Sequence, residues 1–202
     1  MEVLQCPQCG ATAAPSQRQC EFCGAEFFIK SLAYLSRFDT EGVGKYLACF
    51  KATTISSPSE PQGWLGLGLC YLQMGTYALA ERYFEKVIGL SPEIPQAYYY
   101  HALASIRGRR LKTLSLPEIR KIEMYLTTAT QIDAELVEGQ LLLAMIKRDF
   151  YESNGMKVPG MSSAELLGLL HGRSVSKDEL SHLRTAVKVG DEGPFYGSLT
   201  AI

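Results

Sequence analysis

The stretch from Trp64 to Pro92 constrains this chain most. Trp64, Leu67, Gly68 and Tyr71 recur at the three-and-four spacing of one helix face. After Gly75-Thr76, which reads as a turn, Ala80, Phe84 and Val87 repeat that spacing, and Pro92 closes the segment. The segment is therefore two short helices folded back on each other. A pair of this length cannot bury its apolar face alone, so further helix pairs are expected on both sides.

The order W-x2-L-G-x2-Y, then A-x3-F and P, resembles the tetratricopeptide repeat. Seven of the eight signature positions match by residue type, and the departure is Val87, where the family usually has alanine. The resemblance implies an all-α, tetratricopeptide-type helix-pair solenoid that binds proteins rather than catalysing a reaction. It also implies a concave face lined by positions 2, 5, 9 and 12 of each first helix. Those positions are Gln62, Leu65, Leu69 and Leu72 in the best repeat, and Gln96, Tyr99, Leu103 and Ile106 in the next.

The neighbouring repeats are read from spacing. Counting back 34 residues from Phe84 and Pro92 reaches Phe50 and Pro58, which places an earlier, degenerate unit with helices near 29–38 and 41–54. A third unit opens at Pro95, with Tyr98, His101, Ala102 and Ser105 at the signature positions. Its register breaks at an insertion over 108–114, and Ser115-Leu116-Pro117-Glu118 restarts a helix as a capping box. Tyr125 then takes the place of Phe84, 41 residues on. Further helices are expected over 135–151, 163–170 and 177–189, with stops at Asn154-Gly155 and Gly190 and a second Ser-x-x-Glu box from Ser176 to Glu179. The expected organisation is a ribbon over 1–28, repeats over 29–189 with the best at 61–94, and an irregular tail over 190–202.

Four of the six cysteines lie in the first 23 residues, as Cys6-x2-Cys9, ten residues, and Cys20-x2-Cys23. Two residues between thiolates let both sulfurs face one metal from a tight turn, and four sulfurs close a tetrahedron around zinc. Gly10 and Gly24 follow each pair and suit the positive-φ turn of a knuckle. The segment resembles the short zinc ribbons that begin many bacterial proteins. With sulfur at all four positions no ligand place is left for water, so one structural Zn²⁺ is expected. The competing reading is two disulfides. It fits poorly with a start, Met1 to Gln5, that has no basic or apolar signal segment. Phe22, Phe27 and Phe28 are expected to pack onto the next helix, and Cys49 and Cys70 to be small core residues.

Charge narrows the function. The formal net charge is −1, against a strongly basic nucleic-acid binder. In the ribbon, Glu2, Glu21 and Glu26 outweigh Arg18 and Lys30, the wrong sign for phosphate. No apolar run is long enough for a membrane helix, so no membrane insertion and a cytoplasmic protein are expected. The dense basic cluster is Arg107, Arg109, Arg110 and Lys112, continued by Arg120 and Lys121. It reads as a solvated loop or as a dock for an acidic tail or phosphate. His101, His171 and His182 have no partner at ligand or triad spacing, so no catalytic site is expected. His101 reads as a core residue, and His171 and His182 as surface residues at helix ends.

The expected function is a non-enzymatic scaffold or adaptor holding a protein partner. The alternative is a nucleic-acid-associated regulator using the ribbon or the basic cluster. One tension remains. Leu65, Leu69 and Leu72 make the first helix of the best repeat apolar on the side that should be open, so either the chain's own C-terminus, with Pro194-Phe195-Tyr196, or a partner should cover it.

Overall fold

The computed structural model describes residues 4–13, 17–29, 31–170, 173 and 177–188. Residues 190–202, including Pro194-Phe195-Tyr196, lie outside them, as do Ser176 and the side chain of Glu179. The chain divides into two compact units, Met1–Pro92 and Glu93–Ile202.

The first unit opens with a two-stranded antiparallel hairpin, β1 (Leu4–Gln5) and β2 (Thr12–Ala13). Four helices follow: α1 (Leu32–Leu35), α2 (Thr40–Ser56), α3 (Pro61–Gln73) and α4 (Tyr77–Leu90). Helix α3 packs against α1, α2 and α4. Its glycines set how close those neighbours come. A Cβ on Gly66 would lie 2.6 Å from the Phe50 ring of α2, and one on Gly68 would lie 2.4 Å from the Phe84 ring of α4. Proline at the first turn starts α3, and Gly75, at φ +71°, turns the chain into α4. Thr76 holds the N-cap position of α4 without a side-chain cap bond. The Trp64 indole donates to Pro58 O at 2.9 Å and stacks on Tyr83, which also stacks on Tyr71.

The helices expected ahead of the best repeat are observed as α1 and α2, the first of them shortened. The helix expected over 29–38 is the single turn α1, because Phe38-Asp39 breaks away and Asp39 caps α2 by accepting the Gly42 amide at 2.8 Å.

The second unit holds α5 (Pro95–Ile106), α6 (Leu116–Ile132), α7 (Val137–Ile146), α8 (Ser163–Leu169) and α9 (Lys177–Ala186). Helix α5 pairs with α6, and α7 packs against α6, α8 and α9. Ser115 and Glu118 form the expected capping box. The insertion contains a short 3₁₀ turn, Leu111–Thr113, which seats Leu111 and Leu114 in the core. The helix expected over 135–151 is instead α7 followed by a π turn, Lys147–Tyr151, and a 3₁₀ turn, Glu152–Asn154, ended by Gly155 at φ +62°. Ser162 and Glu165 form a further capping box at α8. His101 is fully buried, and Tyr125 stacks on it at 3.9 Å, so α5 and α6 pack through these rings. The fold class expected from the sequence, all-α with adjacent helices in pairs, is the one observed.

Candidate functional site

The two knuckles of the ribbon repeat one local structure. Cys6 N donates to Ala11 O at 2.8 Å and Gly10 N to Cys6 O at 2.9 Å. Cys20 N donates to Ala25 O at 2.8 Å and Gly24 N to Cys20 O at 2.9 Å. Gly10 and Gly24 sit at φ +74° and +72°, where a side chain would be strained. The knuckles face each other, and all four Sγ atoms lie within 4.8 Å of one another. Cys6 Sγ is 3.5 Å from Cys23 Sγ, and Cys9 Sγ is 3.7 Å from Cys20 Sγ.

These distances discriminate. A disulfide needs about 2.05 Å between sulfurs. Four sulfurs at ~2.3 Å around one zinc stand about 3.8 Å apart. The cluster has the second dimension, and its cysteines are free. Four N-terminal cysteines therefore lie close enough together to hold one metal ion. Cys20 and Cys23 differ in how readily each loses its proton. The Cys23 amide, against desolvation, draws Cys20 down to about 7. The Ala25 amide pulls Cys23 down as well, but desolvation and the other three sulfurs outweigh it and push Cys23 up to about 12. Crowded sulfurs can all ionise only beside a cation.

The ribbon is anchored to the helices by polar bonds. Gln8 Nε2 donates to Gly42 O at 3.1 Å, and Glu26 N donates to Tyr34 Oη at 2.7 Å. Tyr34 in turn bonds Tyr46 Oη at 3.0 Å, where burial pushes the Tyr46 phenol up. The phenylalanines depart from expectation. Phe27 packs with Cys6, Cys20 and Ala25 in the ribbon's own small core. Phe22 and Phe28 stay 78% and 40% exposed, so neither is a buried contact onto the next helix. An open cleft of about 500 Å³ is lined by Phe28 with Arg18, Gln19, Glu26 and Gln62. The sequence pattern gave no sign of this cleft.

The groove positions divide. Leu65, Leu69, Leu72, Tyr99, Leu103 and Ile106 are all buried, which takes them out of any open surface. Gln62 is exposed and Gln96 half-buried. In the basic cluster, Arg107 takes the left-handed backbone conformation at φ 55° that ends α5. Arg109 bonds Ile106 O and pairs with Glu118 at 2.7 Å. Through Arg109 first, then Ser115, the Glu118 carboxyl is held down at about 2. Arg109 thus belongs to the loop's own structure, while Arg110, Lys112, Arg120 and Lys121 remain exposed. His182 is half-buried within α9 rather than at a helix end, and His171 lies outside the described residues.

One buried polar constellation escaped the sequence reading. Lys147, in the π turn, donates to a Glu123 carboxylate oxygen and to Pro159 O at 2.9 Å. Tyr151 Oη donates to the other Glu123 oxygen at 2.8 Å, and burial pushes its phenol up to about 12. Every member has a partner, so the network is a satisfied internal brace. The only available signal was a lysine directly after the apolar run of α7, and periodicity does not identify its partner 24 residues away.

A family model described as tetratricopeptide repeat matches residues 61–94. No curated protein matches the chain. No helix among the described residues is long and apolar enough to cross a membrane.

Proposed function

We propose that this chain is a non-enzymatic, cytoplasmic scaffold whose helix pairs hold a partner protein and whose N-terminal ribbon is organised by one structural Zn²⁺ on Cys6, Cys9, Cys20 and Cys23. Zinc would supply the positive charge that lets four crowded thiolates ionise and would tie the two knuckles together. With sulfur at every position it leaves no place for a reactive water. The match of residues 61–94 to a repeat that generally mediates protein contact carries the scaffold reading.

The partner meets the cleft between the ribbon and the start of α3. The six buried groove residues offer it no surface, whereas Gln62 opens onto that cleft beside the exposed Phe28 ring, with Phe22 exposed on the ribbon. An aromatic flanked by polar groups and both charge signs, Arg18 and Glu26, suits a protein surface better than a phosphate backbone.

The test is affinity capture with the zinc-loaded chain, compared with a Phe28→Ala, Gln62→Lys variant of unchanged helical circular dichroism. A partner retained at high salt by the parent and lost by the variant is expected. Retention by both places the contact elsewhere. Capture of RNA or DNA that falls steeply with salt, and persists in the variant, would support the nucleic-acid regulator instead.

A further inference from the structure

The four sulfurs are not equivalent. Cys6 and Cys20, the first of each knuckle, are 3% and 4% exposed, whereas Cys9 and Cys23, the second of each, are open to solvent. Across the knuckles each exposed cysteine faces a buried one, Cys23 Sγ to Cys6 Sγ at 3.5 Å and Cys9 Sγ to Cys20 Sγ at 3.7 Å. A thiolate reacts with a peroxide only where the oxidant can reach it, and the resulting sulfenic acid is captured by a nearby second thiolate. Here the reachable atom and its resolving partner sit in different knuckles.

We propose that Cys9 and Cys23 are oxidation sites for peroxides, and that oxidation replaces the zinc by two nested disulfides, Cys6–Cys23 and Cys9–Cys20. This rests on the zinc reading above. The exposed thiolate attacks one peroxide oxygen, the O–O bond breaks, and the sulfenic acid forms as hydroxide leaves. The facing thiolate then attacks the sulfenic sulfur, the S–S bond forms, and a second hydroxide leaves. Each pair gives up two electrons to one peroxide, so both pairs consume two peroxides and set free one Zn²⁺ with four hydroxides.

The consequence is an exchange of staples. The disulfides join the same two turns the metal joined, with Cys9–Cys20 nested inside Cys6–Cys23. The ribbon core of Phe27 and Ala25, which packs on Cys6 and Cys20, has no cause to open. Gln8, in the first knuckle, keeps its bond to Gly42 of α2. A local C-x2-C pairing would leave the two turns unjoined.

The sequence supplies a clean assay. Arg18 separates the two pairs, so trypsin yields one fragment with Cys6 and Cys9 and, ending at Lys30, another with Cys20 and Cys23. The zinc-loaded full chain is treated with hydrogen peroxide, the released metal is followed with a chromogenic chelator, and the unreduced digest is mapped. Expected are one zinc released per chain, loss of four of the six thiols with Cys49 and Cys70 kept, and the two fragments joined, with fragmentation reading Cys6–Cys23 and Cys9–Cys20. Separate fragments, each with an internal disulfide, would overturn the pairing. Metal retained with all four sulfurs reduced under excess peroxide would overturn the oxidation site itself. A reduced chain that takes up no zinc sinks the metal reading instead, and the same digest still decides how the sulfurs pair.

Discussion

Gly68 shows how much of this fold a single missing side chain decides. In the repeat pattern it is only a small residue between Leu67 and Leu69. In the structure it is where α4 comes closest to α3, with the Phe84 ring in the space a methyl group would need. Gly66 plays the same part toward Phe50 of α2. Gly89 is the contrast, a helical glycine with nothing within 4 Å of an added Cβ. Gly68→Ala should therefore destabilise the chain by about 1–3 kcal/mol, because a packed ring must move. Gly89→Ala should stabilise it by about 0.5–1 kcal/mol through helix propensity and a less flexible unfolded chain. Urea melts of the two variants check this, and equal effects of one sign would refute the packing account. Residues of this kind were legible as small positions, but which helix each admitted was not. Phe22 was misread for a related reason: an aromatic inside a knuckle looks like core until the turn shows which way it points.

At the scale of elements, pattern reading located helices well and their ends less well. The capping box at Ser115 and the stop at Gly155 follow from local backbone chemistry, which a sequence carries in full. The brace from Lys147 to Glu123 joins residues distant in sequence, which periodicity does not encode. The insertion between α5 and α6 illustrates both. Its basic residues looked alike in the sequence, yet Arg109 is bound into the cap of α6 through Glu118, while Arg110 points to solvent. Arg109→Glu should lower the melting temperature, and Arg110→Glu should leave it nearly unchanged. Acid gives a second check. The folded Glu118 carboxyl is held at about 2, below the unfolded value of ~4.3. Its stabilisation is thus complete above that unfolded value and is lost as pH falls toward the folded one. The stability gap between the parent and Glu118→Gln should be full near neutral pH and close progressively below about pH 4. A gap that stays constant across this range would contradict the assignment.

For the whole molecule, the all-α class and the four-sulfur cluster were both readable, since one rests on helical period and the other on ligand spacing. The burial of Leu65, Leu69 and Leu72 was foreseen as a tension. The cleft at Gln62 was not, because it is made by folding the ribbon beside α3. The central claim is that a metal organises this ribbon while the helices stand without it. Native mass spectrometry of the reduced, zinc-replete chain, alongside helical circular dichroism, tests it most directly. One zinc per chain is predicted, absent from a Cys6→Ser, Cys20→Ser variant whose helical signal is retained. A fully reduced parent chain that carries no zinc and takes none up would contradict the claim.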